Sequence, residues 1–157
     1  MSGMLAQKSA GDHVPALCCL LGYLARWPHR ERAMANEMSV DTFATRSHDK
    51  ADEVRTPDKT RVEVVRLPGF TLGRLKMQPG WRWSECIKPV VGTDSWQVSH
   101  VGHVVSGRLT VKMNDGSQKS IAAGYSYTIP PGHDAWVIGN EPFVCIEVMS
   151  AEQYAKG

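Results

Sequence analysis

The stretch SWQVSHVGHVVSGRLTVKMNDG, Ser95 to Gly116, decides how the rest of the chain is read. From Arg108 to Met113 it alternates: Leu109, Val111 and Met113 fall on one face, Thr110 and Lys112 on the other, and Asn114-Asp115-Gly116 follows as a turn. That period of two predicts a half-buried strand. Two histidines, His100 and His103, stand in the segment just before it. In a continuous strand, side chains three residues apart leave opposite faces, so these two do not share a metal.

Outward from this stretch, the chain from Arg61 onward is a series of short β-prone runs punctuated by Gly and Pro, as in a small sandwich or barrel. The predicted strands are Val62–Leu67, Thr71–Met77, Trp83–Lys88, Trp96–His100, Val104–Ser106, Leu109–Met113, Gln118–Ile121, Tyr125–Ile129, Ala135–Ile138 and Phe143–Met149. Helix-period patterns are absent there. Turn signals at LPG (67–69), QPG (78–80), SG (106–107), NDG (114–116), PPG (130–132) and GNEP (139–142) imply an antiparallel meander closed on itself. Met77, Met113 and Met149 fall on strand faces and read as core filler.

The N-terminal third has a different texture. Val14 to Trp27 is the most apolar segment, but it is too short and interrupted for a membrane helix of roughly 20 apolar residues. Its positive cluster, His29 to Arg32, follows the apolar run, the reverse of a secretory signal. Leu17, Leu20, Leu21 and Leu24 have helical spacing, with Pro28 to close a short helix. Arg30 to Thr60 is rich in charge and small polar residues and reads as a linker. The expected organisation is a helical or disordered extension over 1–60, a β-barrel over 61–149 and a tail over 150–157.

Charge excludes some partners. Lys and Arg number 18 against 16 Asp and Glu, a net charge of +2, and the basic residues form no face of their own. Neither nucleic acid nor an acidic membrane is an expected partner. Four cysteines, Cys18, Cys19, Cys86 and Cys145, show no metal-knuckle or CxxC spacing, which fits a reducing, cytoplasmic compartment.

These runs resemble the successive motifs of a single-domain cupin, a small jelly-roll β-barrel. Pro79-Gly80, then HVVSGRLTVKMNDG (103–116), then AAGYSYTIPPGHDAWVIGNEP (122–142) carry the resemblance, over about Arg61 to Val148. In that family a first motif supplies HxH and then a glutamate seven residues before a glycine; a second motif reads G-x5-P-x-G-x2-H. Gly124, Pro130 and Gly132 fit the second motif's scaffold, and Val104-Val105-Ser106-Gly107 fits the end of the first. The ligand positions depart from it. Seven before Gly107 stands His100 in place of glutamate; six after Gly80 stands Cys86 in place of the first histidine, with Lys88 as the second. Val90 to Ser95 is then an insertion; an alignment without it puts Asp94 and Trp96 in those two places instead. The second motif's histidine falls at Ala135, and His133, one strand period earlier, points to the same face.

The resemblance implies a divalent transition metal, zinc or iron, held by Cys86, His100 and His133 in the barrel mouth. Glu85, Lys88, Trp96, Asp134 and Trp136 are the expected pocket residues, with Trp81, Trp83 and Tyr127 as further wall candidates. Each ligand also has a plain packing reading: Cys86 as a small buried hydrophobe, the histidines as neutral core residues bonded to carbonyls or carboxylates. His103 occupies an outward position where a cupin usually has an aromatic. Three functions follow: a metal-dependent small-molecule enzyme of dioxygenase, isomerase or lyase type, a non-enzymatic small-molecule binder, or a structural module. A homodimer is expected, because a strand such as Val62–Leu67 at an open sheet edge needs covering.

Overall fold

A computed structural model describes residues 40–148. The predicted Leu17–Leu24 helix, Cys18, Cys19, Met149 and the tail lie outside the described residues. Nine strands form two antiparallel sheets: β1 Glu53–Arg55, β2 Thr60–Leu67, β3 Phe70–Met77, β4 His100–Ser106, β5 Arg108–Met113, β6 Gln118–Ala122, β7 Ser126–Ile129, β8 His133–Val137 and β9 Phe143–Val148. The larger sheet has the order β1-β2-β3-β9-β4-β7 and the smaller β6-β5-β8. This order is not the simple meander expected from the turns: β9 returns from the end of the chain to lie between β3 and β4. The predicted Val104–Ser106 strand is the second half of a single β4 that starts at His100.

Alternation in each strand sends one set of side chains between the sheets. In the larger sheet Val62, Leu75, Cys145 and Val104 are register partners across β2, β3, β9 and β4, and all four are fully buried. Leu109, Val111, Ala135 and Val137 meet them from the smaller sheet, and Trp81, Trp83 and Trp96 fill the space between. Each large apolar side chain buried in this way stabilises by about 1.5–3 kcal/mol relative to exposure. Met77 is part of this core and Met113 packs against it, in agreement with the sequence. Gly107, where β4 turns into β5, has φ +75, and a Cβ there would collide with the Pro142 and Phe143 backbone. Only glycine fits that corner.

Three expectations fail here. The predicted strand Trp96–His100 is not one: Trp96 makes an isolated bridge to His133, and β4 starts only at His100. Trp83–Lys88 is not a strand: Trp83–Cys86 forms the one-turn helix α1, and Lys88–Val91 forms α2. The Asp134 carboxylate on β8 accepts from the Ser84 backbone N–H at 3.1 Å and from Ser84 Oγ at 3.0 Å, satisfying donors at the start of α1 that have no partner within the helix. Pro89, at the start of α2, presets a helical φ. The strand Val62–Leu67 is only partly an open edge, because β1, inside the segment read as linker, pairs through Glu53–Arg55 with Val64, Glu63 and Val62. Among the described residues no helix is long and apolar enough to cross a membrane.

Candidate functional site

The strand parity of β4 separates the two histidines. His100 faces the interior and is 2 % exposed; His103 is exposed on the other face, with Nδ1 3.0 Å from Ser126 Oγ. On β8, His133, Ala135 and Val137 all point inward, so His133 does share the face of Ala135. The two inward rings meet, with centroids 5.2 Å apart. Trp96 packs on both, 4.2 Å from His100 and 5.2 Å from His133. Its backbone is tied to the start of β8: its N–H donates to the His133 carbonyl at 2.7 Å, and its carbonyl accepts from Gly132 N–H at 2.8 Å.

Of the two partners of this pair, Glu147 was not found in the sequence and Tyr127 was expected only as a pocket wall. Glu147, on β9, holds its carboxylate 3.0 and 3.1 Å from His100 Nδ1 and is 4 % exposed. Tyr127, on β7, donates its hydroxyl to Glu147 Oε1 at 2.8 Å. The register explains how they reach one another: Tyr127, Gly102, Glu147 and Gly73 are partners in one inward row across β7, β4, β9 and β3. A Cβ on Gly102 would lie 2.7 Å from the Tyr127 hydroxyl, so the glycine is what lets the phenol cross β4 to the carboxylate. The available signal was the parity of β9, where Phe143, Cys145 and Glu147 alternate inward and a glutamate takes a core position.

Hydrogen bonding fixes the chemistry of both rings. His133 Nδ1 is 2.8 Å from the Pro130 carbonyl, which only accepts, so Nδ1 carries the proton. Burial, and secondarily His100, lower its pKa to about 4 against the opposing pull of the Pro130 carbonyl, Glu147 and Asp134; the ring is neutral at pH 7 with its lone pair on Nε2. At His100 the Nδ1–H donates to the Glu147 carboxylate, and in that tautomer Nε2 is the accepting end of the ring. Both Nε2 atoms are buried without a protein hydrogen-bond partner. Burial, with Cys145 and Glu147 close by, drives the Tyr127 pKa far up, so this phenol stays a proton donor.

The other expected site residues lie elsewhere. Cys86, on α1 rather than on a strand, has Asp58 and Lys59 beside its thiol; burial raises its pKa, so it is not an activated thiolate. Glu85 is exposed, and Lys88 reaches the Asp94 carbonyl at 3.3 Å on the surface. Asp134 serves α1 as described and pairs with Arg82 at 3.3 Å; the same guanidinium stacks on Trp136, 4.5 Å from its ring centre. A four-residue helix in place of a strand removes the two-residue parity that would have aimed Cys86 and Lys88 at the histidines. Among the described residues no group of three or more His, Cys, Asp or Glu is placed to hold a metal ion. Two imidazoles remain; the Glu147 carboxylate is engaged by His100 and Tyr127, and the Asp134 carboxylate by Ser84 and Arg82. This donor set does not fit the three-ligand centre that the cupin resemblance implies.

No family model and no curated protein matches the sequence. Solved structures do. A Rhizobium leguminosarum protein of unknown function is similar at 23% identity over 71% of this chain and 96% of that one, with a TM-score of 0.49. The Schizosaccharomyces pombe Cnp3 cupin domain is similar at 17% identity over 65% of this chain and 69% of that one, TM-score 0.46. Lactobacillus farciminis oxalate decarboxylase is similar at 19% identity over 62% of this chain, TM-score 0.47; the chain spans 30% of that protein's length. The two antiparallel sheets, with the Gly107 corner and the Gly124 to Gly132 segment at their cupin positions, make the described body of this chain a cupin-type jelly-roll domain.

Proposed function

We propose that this domain is a non-enzymatic binder of a small molecule, held inside the barrel by His100 and His133 without a resident metal. The observation that carries the reading is the pair of buried, unpartnered Nε2 atoms on adjacent rings. Buried acceptors are costly unless they are bonded or working, and a ligand donating to both removes the cost. Glu147 and Tyr127 act by holding His100 in its tautomer. The free thiols Cys86 and Cys145 support placement in a reducing, cytoplasmic compartment.

The test is a nuclear magnetic resonance screen of a small polar fragment library, with ZnCl2 titrated in parallel, on the full chain and on His100→Ala and His133→Ala. Fragments are expected to shift the Trp96 indole resonance in the wild type and to lose at least tenfold in affinity in either variant. Stoichiometric zinc binding that disappears in both variants would overturn the metal-free reading in favour of the metal-dependent enzyme. We also propose that the chain is a homodimer, with its contact on the outer face of β4 and β9, where Val101 and Val105 are exposed beside Ile146. Light scattering giving a monomer at high micromolar concentration refutes that.

A further inference from the structure

Two more polar atoms are buried in the core without a protein hydrogen-bond partner, the indole nitrogens of Trp81 and Trp83. They belong to the same group of rings as the imidazoles. The Trp96 ring centre lies 6.0 Å from Trp81, 6.1 Å from Trp83, 4.2 Å from His100 and 5.2 Å from His133. An indole N–H only donates, whereas both imidazoles, their Nδ1 protons committed to Glu147 and Pro130, present acceptors. Around one side chain, then, two unpaired donors and two unpaired acceptors are buried together. Protein cores seldom leave such atoms unsatisfied, and four grouped on one residue describe the complement of a ligand.

We propose that the ring cluster around Trp96 recognises a small uncharged molecule carrying a carbonyl-type acceptor and an amino or hydroxyl donor together, such as a primary amide or a hydroxyketone. The proposal rests on His100 and His133 being the ligand-binding pair. It adds the two indoles and, with them, the ligand class. A carboxylate is disfavoured because it would meet the buried Glu147 and the two imidazole lone pairs. A cation is disfavoured because it offers nothing to the indole N–H groups. Flat rings on several sides select a small planar group, as apolar walls with a few placed polar atoms do in ligand sites generally. Trp96 is the most exposed of the three indoles, at 6 % against 0 and 1 %, and is carried by the loop before β4.

Three probes of nearly the same shape separate the possibilities: acetamide, which donates and accepts; acetone, which only accepts; and acetamidinium, which only donates. Each is titrated into the full-length protein at pH 7 while the indole and imidazole resonances are followed. Acetamide is expected to bind at least tenfold more tightly than either of the others. In Trp83→Phe, which keeps the aromatic bulk but lacks the N–H, its advantage over acetamidinium should shrink at least threefold, and Trp81→Phe should act in the same direction. His133→Phe should erase its advantage over acetone; if that variant does not fold, the two tryptophan variants decide. Acetone or acetamidinium binding as well as acetamide, or a preference unchanged in both tryptophan variants, overturns the ligand class. If none of the three probes binds but histidine-dependent fragment binding is found, the ligand class falls and the binding pair stands. If neither is found, both fall, and ordered water is what satisfies the four atoms.

Discussion

His100 and His103 are three residues apart on β4, yet they live in different chemistry. The first is 2 % exposed, donates Nδ1 to a buried carboxylate and packs against a second imidazole and the Trp96 indole. The second lies in water beside Ser126 on an outer face that also carries Val101 and Val105. One pleat of the strand makes the difference. On the inner face each polar atom needs a protein or ligand partner, and its removal is felt in full; on the outer face water replaces whatever is lost.

The contrast predicts a graded series of effects. The largest belongs to Glu147→Ala, which strands both His100 Nδ1 and the Tyr127 hydroxyl in the core. Equilibrium denaturation should show a loss of about 2–6 kcal/mol, at about 1–3 kcal/mol for each buried donor left without its partner. A loss below about 1 kcal/mol would mean that the inner face is no more demanding than the outer.

Next comes acid. The His133 pKa is about 4 folded against an ordinary 6.5, so the unfolded chain binds the extra proton between those values. Stability is therefore fully present above pH 6.5 and declines as pH falls toward 4, by about 3 kcal/mol in total at 1.36 kcal/mol per unit. The outer carboxylates act in a lower window. Glu63 is held down chiefly by Arg74, and Glu53, by Arg55, at about 2; both contribute above the ordinary 4.5 and are lost only below it. Urea melts at pH 7.0, 5.5 and 4.5 should locate the first decline, and His133→Phe should remove it. A decline that survives this substitution assigns it to another group.

Gly102→Ala tests the close approach inside the site. Its new Cβ would lie 2.7 Å from both the Tyr127 hydroxyl and the Ile146 carbonyl, so a loss of about 1–3 kcal/mol is expected, with the Trp96 resonance displaced. The smallest effects lie outside. His103→Phe and Ser126→Ala should each cost no more than about 1 kcal/mol and leave fragment binding intact. If His103→Phe weakens binding as much as His100→Ala does, the division of β4 into two faces is wrong.

Much of this was legible in the chain. Alternation marked most of the strands and put His100 inside and His103 outside; the G-x5-P-x-G spacing marked the second motif; the step of two residues placed His133 on the face of Ala135. These are local properties, set by the pleat and by turn stereochemistry, and a local pattern reports them. Cys86 shows where that ends. Its position was inferred by carrying a strand period through Trp83–Lys88, but Asp134, 50 residues beyond Ser84, satisfies the start of a helix there instead. The sequence by itself determined which residues turn inward on each strand. Tertiary structure alone decided which inward residues meet, because Glu147 reaches His100 only when β9 is inserted between β3 and β4, and Tyr127 reaches Glu147 only across a glycine. Those contacts span 47 and 20 residues of chain, and strand order, which no periodicity encodes, brings them together.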